Sequence, residues 1–358
     1  MRTGRAVLLK EAAFYGKKRR AGNKNRSRAA RSRSVVECAM LICPYCRSPL
    51  DVRATTRCAC GREHPRLPSG GVDFLEGRGF ADFEIDPADA EQRRTLEAEA
   101  AGVAWRMESL VLPLAGRYLR RVGGRGRPVT ILDCGCGSGI SVDVLRARGF
   151  DAWGIDAGRA RHRQWRERDS AAWLHAADAL HLPFGDSAFD IVISSGIVEH
   201  IGIHEEESNG YRAHRLSDCH ERRRRFVAEL VRVLGHDGFI LLDHPNGAFP
   251  IDFWHGGRAG GLRWHRTRGD MLPRFDEVAR YFGEVDPSLG LFSLSPARRL
   301  RFAQVRRHWY GRILAPLAAL WLSLLDRGFL SFMARSPFNP YLVTVATRRG
   351  DAPAWIYP

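Results

Sequence analysis

A short apolar run that breaks into three spaced glycines, VTILDCGCGSG at residues 129–139, constrains this chain more than any other feature. The run is aliphatic and β-branched, so it reads as a buried strand, and the glycines provide a tight turn. ISVDVLRARG then reads as a helix stopped by Gly149. The pattern repeats: DAWGID is a strand, RARHRQWRER a polar helix, AWLHAAD and FDIVISS are strands, residues 218–235 a helix, and GFILLDHP another strand. Continuous apolar strands alternating with helices predict an α/β fold whose parallel sheet is covered on both faces. The glycine loop then lies at the carboxyl edge of the sheet, where such folds bind ligands.

The loop itself excludes two ligand classes. A dinucleotide fingerprint requires its third glycine at position 140, which is Ile140, and a phosphate-binding loop requires a Lys followed by Ser or Thr in register. Asp133 at the strand tip would repel a phosphate and suits a ligand carrying positive charge. Cys134 and Cys136 are too few for a tetrahedral zinc site and read as small residues in a tight turn. Downstream, Asp156 ends the second strand, where a carboxylate can chelate ribose hydroxyls. Asp178 ends the third, where it can accept from the exocyclic amine of a base.

The series ILDCGCGSG, GID, DALHLPF, FDIVISSGIVEHI and ELVRVLGHDGFILL, in this order and spacing, resembles the class I S-adenosylmethionine-dependent methyltransferases, in particular the quinone-biosynthesis and small-molecule type. The resemblance covers about residues 125–245 and extends to YLVTVATR as the end of the sheet. It implies a Rossmann-like seven-stranded methyltransferase sheet and S-adenosyl-L-methionine as methyl donor. It further implies that Asp133 and the loop of Gly135, Gly137 and Gly139 hold the methionine part. Asp156 would take the ribose, Asp178 the adenine amine with Ala179 beside it, and Ser194 and Ser195 would line the sulfonium end. His200, in VEHI, matches a histidine common in the family near the methyl donor, and stands as base or pocket wall. The segment after the fifth strand, DHPNGAFPIDFWHGGRAGGLRWHRTRGDMLP, is expected to shape the acceptor site through Phe249, Phe253, Trp254 and Trp264. His244, Asp252, His255 and His265 lie among these aromatics at a spacing that matches no metal motif.

Ahead of this region, Cys43-x2-Cys46 and Cys58-x-Cys60 suit a structural zinc ribbon held by four thiolates. The unit resembles the short ribbon fused ahead of some methyltransferases. The usual second pair is Cys-x2-Cys, so His64 is an alternative ligand. A ribbon beside a methyltransferase also resembles a ribosomal RNA base methyltransferase, which makes RNA the rival partner to a small-molecule or lipid-like acceptor. A non-catalytic binding module on the same fold is the third reading, and the intact cofactor motifs weigh against it.

Composition adds partners and boundaries. Of the net charge of +16, most lies in residues 1–40, which hold twelve Lys/Arg against two Glu, Glu11 and Glu37. Such a tail is expected to be disordered and suits RNA or an anionic surface, although only Phe14 and Tyr15 are available to stack on bases. Arg/Ser richness also suits a transit peptide, and a start at Met40 would leave the tail untranslated. The clustered cysteines suit metal ligation in a reducing, cytoplasmic compartment. ILAPLAALWLSLL, thirteen apolar residues from Ile313, reaches only about 20 Å as a helix, short of a hydrocarbon core of about 30 Å. No transmembrane span is expected, because extending the segment would immerse Asp326 and Arg327. It is expected either to pack on the sheet or to lie at a membrane surface, with Arg312 and Arg327 meeting anionic lipid. The organisation predicted is a basic tail at 1–40, a zinc-ribbon-like unit at 41–76, a helical cap or linker at 77–127 and the methyltransferase domain at 128–350. Within that domain lie an acceptor-site insert at about 245–272 and an apolar helical insert at about 300–335.

Overall fold

The protein is described by a computed structural model covering residues 41–52, 56–76, 90–123, 126–206, 212–255, 263–300, 309–325, 328–348 and 356. The basic tail, with Phe14 and Tyr15, lies outside the described residues, as do Asp326 and Arg327.

Seven strands form the central sheet: β1 Thr130–Cys134, β2 Asp151–Asp156, β3 Leu174–Ala176, β4 Phe189–Ser195, β7 Leu234–Pro245, β10 Gly290–Leu294 and β11 Tyr341–Thr347. Their order is β10-β11-β7-β4-β1-β2-β3. Pairings from β3 across to β7 are parallel, and β11 runs antiparallel to both neighbours. The α/β sheet expected from the alternating apolar runs is therefore present, with YLVTVATR as its antiparallel strand. Two hairpins that the periodicity did not reveal stand outside the sheet, β5 Ile203–Glu206 with β6 Arg212–Arg215, and β8 Ile251–Asp252 with β9 Arg263–Trp264.

Helices cover both faces because the strands are apolar on both. On one face, α1 Ala90–Arg106, a π turn at Met107–Val111, α2 Leu112–Val122 and α3 Ile140–Ala147 place Met107, Leu114, Tyr118 and Val142 against Ile131, Ile191, Ile193 and Leu241. On the other, α5 Cys219–Val233 and α6 Phe275–Val285 place Phe226, Leu230 and Phe282 against Leu132, Val192 and Leu242. A short helix, α4 Arg159–Gln164, follows β2.

The cysteine unit packs as part of this core. Leu41, Leu50, Val72 and Phe74 are buried in the same cluster as Phe184 and Val192. Asp73 bridges Ala176 in parallel fashion, and Phe74 N–H donates to Ala176 O at 2.8 Å while Ala176 N–H donates to Val72 O at 2.9 Å. The unit thereby caps the β3 edge, whose unpaired backbone groups would otherwise face solvent. His175 locks this joint: its Nδ1 accepts from Val72 N–H at 3.1 Å and its ring stacks on Trp153 with centroids 5.5 Å apart.

Burial, with a smaller contribution from Arg66, pulls the His175 pKa from 6.5 down to about 3. Between these values the unfolded chain binds a proton that the folded chain refuses, so stability falls as pH drops through that window. At pH 4.5 the loss from this group alone is about 2–3 kcal/mol. Urea unfolding at pH 7 and 4.5 is expected to show it, and His175→Asn, which keeps an acceptor, to flatten the difference. An unchanged pH slope in that variant removes His175 as the cause.

α7 Trp309–Leu324 packs one side on the segments around Ala297, Leu300 and Met333 and not on the sheet core. Ala315 and Leu322 are buried, whereas Ile313, Leu317 and Leu320 on the opposite side are 60%, 60% and 58% exposed. Among the described residues no helix is long and apolar enough to cross a membrane.

Candidate active site

The glycine loop closes against β2. Gly135 N–H and Cys136 N–H both donate to Ile155 O at 2.9 Å, and Gly135, Gly137 and Gly139 have φ of +88°, +53° and +80°. The three differ in what surrounds them. A Cβ on Gly135 would collide with Ile197, and one on Gly139 would lie 2.5 Å from Leu174 Cδ1. At Gly137 the nearest atom would be Glu99 Oε1 at 3.6 Å. Two glycines thus serve the protein's own packing, and the third borders open space.

Asp156, at the tip of β2, fixes this loop. Its Oδ2 accepts from Gly137 N–H and its Oδ1 from Gly158 N–H, each at 2.8 Å, while Trp165 Nε1 donates to Gly137 O at 2.8 Å. Asp133 lies deeper, fully buried, with Ser141 Oγ donating to Oδ2 and Arg106 Nη2 3.7 Å from the same oxygen. Its Oδ1 has no hydrogen-bond partner among the described residues. Burial pushes the Asp133 carboxyl up, and Arg106 and Ser141 offset this only in part. Glu99, which borders Gly137, pairs with Arg161 at 2.9 Å, so α1 lies over the loop.

Asp178 follows β3, with Ala179 next to it. Its Oδ1 accepts from Leu180 N–H at 2.9 Å and its Oδ2 lies 3.4 Å from His181 Nδ1. Burial would raise its pKa, but these partners hold it below the ordinary value. The two serines diverge, because adjacent strand residues point to opposite faces. Ser195 pairs with Asp243 in register and its Oγ donates to Asp243 Oδ1 at 2.7 Å. Ser194 shares the other face with Cys134 and Leu242, and its buried Oγ has no partner among the described residues.

Asp243 is the centre of a network that the sequence reading missed. Its Oδ1 accepts from Arg299 Nε at 2.7 Å, Tyr341 Oη at 2.8 Å and Ser195 Oγ at 2.7 Å. Arg299 Nη2 also donates to Tyr341 Oη at 2.9 Å and to Ser195 Oγ at 3.2 Å. Despite burial, Arg299 and Arg106 hold the Asp243 carboxyl below its usual range. Asp243 Oδ2, like Asp133 Oδ1, has no partner among the described residues. One signal was visible: a lone Asp in the apolar strand GFILLDHP needs a buried partner.

His200 lies in the turn after β4, its Nδ1 2.6 Å from Glu205 Oε1, and its ring centroid is 5.2 Å from that of His255. Desolvation of the ring would lower its pKa, yet Glu205 and Glu199 hold it above the ordinary value. The β8–β9 hairpin presents Phe253, Trp254 and Trp264 to solvent, and Trp254 packs on Tyr341 at 4.8 Å between centroids. The aromatic segment foreseen for the acceptor is therefore adjacent to the Asp243 network. His244 is buried beneath it with Nδ1 2.8 Å from Pro245 O, and His265 Nδ1 is 3.8 Å from Asp270.

In the N-terminal unit one sulfur from each of Cys43, Cys46, Cys58 and Cys60 lies within 4.8 Å of the others. Cys43 and Cys60 Sγ are 3.8 Å apart and Cys46 and Cys58 Sγ 3.3 Å. A tetrahedral zinc with bonds of about 2.3 Å needs sulfurs about 3.8 Å apart, so the set fits with a small opening of one pair. His64 is outside this set and packs instead on Phe74 and Tyr45, at 5.0 and 6.4 Å between centroids. The cluster consists of the four cysteines alone.

Residues 132–242, from β1 through β7, match the family model of a methyltransferase domain. Together with the seven-stranded sheet, the match shows that the chain carries a methyltransferase domain of the class I S-adenosylmethionine-dependent type. A phthiotriol/phenolphthiotriol dimycocerosates methyltransferase 1 of Mycobacterium ulcerans is 29% identical over 137 residues, 38% of this chain and 44% of its own length. A tRNA (uracil-O(2)-)-methyltransferase of Neurospora crassa is 32% identical over 89 residues, 24% of this chain and 16% of its own length. The chain thus spans less than half the length of either curated relative. Among solved structures, the plantazolicin methyltransferase BpumL in complex with SAH is 13% identical with a TM-score of 0.42, covering 73% of this chain and 92% of its own.

Proposed function

We propose that the protein transfers a methyl group from S-adenosylmethionine to a small-molecule or lipid-like acceptor. The observation that carries the cofactor reading is the pairing of open space at Gly137 with unpartnered buried oxygens on Asp133 and Asp243. Carboxylate oxygens without donors are costly in a core and suit a cationic ligand. In this reading Asp133 and the glycine loop hold the methionine part, Asp156 the ribose, Asp178 with Ala179 the adenine, and Ser195 lines the sulfonium end. Ser194, on the other face, is better suited to support β4. The bound cofactor supplies a methyl group already activated for in-line displacement, so the residues act mainly by positioning. His200, with a carboxylate on its Nδ1, is suited to a pocket wall, or to a base for an acceptor that must lose a proton only while its Nε2 holds no ion.

The exposed aromatics of the β8–β9 hairpin and the outward side of α7 support an apolar acceptor, in line with the relative named for dimycocerosates. Product analysis with labelled S-adenosylmethionine and a cell extract tests this. Label in an organic-extractable product that survives ribonuclease is expected. Ribonuclease-sensitive label selects RNA instead, and no transfer selects a binding module.

The outward side of α7 is also suited to a membrane surface, since Ile313, Leu317 and Leu320 are exposed beside Arg312. Flotation with anionic vesicles at low salt is expected for the wild type and lost in an Ile313→Ser, Leu317→Ser, Leu320→Ser triple variant. Wild-type protein that stays at the bottom of the gradient refutes the surface role. The four thiolates are suited to one structural zinc. Its removal by chelator is expected to loosen the joint at β3, read as faster proteolysis within residues 41–76. Unchanged proteolysis speaks against a structural metal.

A further inference from the structure

A second group of ligand-type side chains stands on the carboxyl side of the sheet, outside the cysteine unit. Glu199 and His200 lie in the turn after β4, and His255 follows β8. One ligand atom from each lies within 4.8 Å of the others. Glu199 is only 2% exposed, and its Oε2 has no hydrogen-bond partner among the described residues.

Both imidazoles are held from behind. His200 Nδ1 is 2.6 Å from Glu205 Oε1, and His255 Nδ1 is 2.9 Å from Asp252 Oδ2. A carboxylate behind the ring fixes its orientation, as is typical of metal-ligating histidines. Asp252 is itself fixed by Trp254 N–H at 2.9 Å and by Arg263 at 3.0 Å. The turn is fixed as well. The buried guanidinium of Arg223 donates to the carbonyls of Glu199 at 3.2 Å, Ile201 at 3.1 Å and Met271. Carboxylates at 199, 205 and 252 thus surround the group, and the positive charge of Arg263 is shared with Asp270.

We propose that Glu199, His200 and His255 form a binding site for a divalent transition-metal ion. Two imidazoles and one carboxylate suit zinc, iron(II) or cobalt(II) better than the hard alkaline-earth ions. Three protein ligands leave coordination positions open to water or to an oxygen of a bound molecule. The site borders the hairpin that carries Phe253 and Trp254, so that molecule would be one entering beside these aromatics. The proposal does not depend on methyl transfer, because it concerns an ion that can be counted.

The test is metal content of the full chain, saturated with zinc and dialysed, by mass spectrometry. Two zinc ions per chain are expected for the wild type. One is expected for His255→Ala, for Glu199→Gln, and for the Cys43→Ser, Cys46→Ser pair. With cobalt(II), the cysteine variant is expected to retain visible d–d bands and to lose the thiolate charge-transfer band. Zinc content that is the same in the wild type, Glu199→Gln and His255→Ala overturns the proposal. Circular dichroism identifies a variant that fails to fold, and the isosteric Glu199→Gln carries the test if His255→Ala does so.

Discussion

Gly137→Ala is expected to weaken S-adenosylmethionine binding by about 10- to 100-fold, measured by calorimetry, with only a modest loss of thermal stability. The methyl group would enter the space bordered by Glu99, the least crowded of the three glycine positions, where intrusion into a fitted contact costs about 1–3 kcal/mol. A left-handed φ of +53° adds strain to the fold, roughly 1–2 kcal/mol for any residue with a Cβ. Gly149→Ala separates the two effects. Gly149 also has a left-handed φ, +88°, and nothing within 4 Å of its Cβ position, but it lies at the far end of α3. It is expected to lose similar stability and no affinity. Equal affinity in wild type and Gly137→Ala would sink the assignment of the loop to the cofactor.

Arg299→Met is expected to destabilise the fold by about 3–5 kcal/mol, since it leaves the Asp243 carboxylate buried with only hydroxyl donors. For a domain of this size the shift in Tm is roughly 6–20 °C. Pairing it with Asp243→Asn removes the stranded charge, so the double variant should be more stable than Arg299→Met alone. If the two losses simply add in urea unfolding, the network is not a coupled unit.

Chemistry carried by neighbours along the chain was legible in the sequence. The Cys-x2-Cys and Cys-x-Cys pairs, the spaced glycines after an apolar run and the alternation of strands and helices all depend on a few adjacent residues. The parallel α/β sheet and the cysteine cluster followed from them, and its seven strands from the family resemblance. The same reading could not choose between burial and exposure for α7, because an all-apolar helix gives no periodic sign of which side meets the core. Nor did it show that the cysteine unit closes the β3 edge. That joint depends on Val72, Phe74 and His175, which are more than a hundred residues apart in part and alike in sequence to any other apolar or polar residue.

From its sequence alone this protein was committed to a glycine loop at a strand tip, carboxylates at or just after the ends of three strands, and a clustered four-cysteine unit. Each is set by local backbone geometry and short spacing. Tertiary structure alone decided that Ser195, Asp243, Arg299 and Tyr341 form one buried network, and that Glu199 and His200 meet His255. These groups come from separate strands and turns, and they become neighbours only when the sheet is assembled. Strand order and register, which no local pattern encodes, are what bring their charges together.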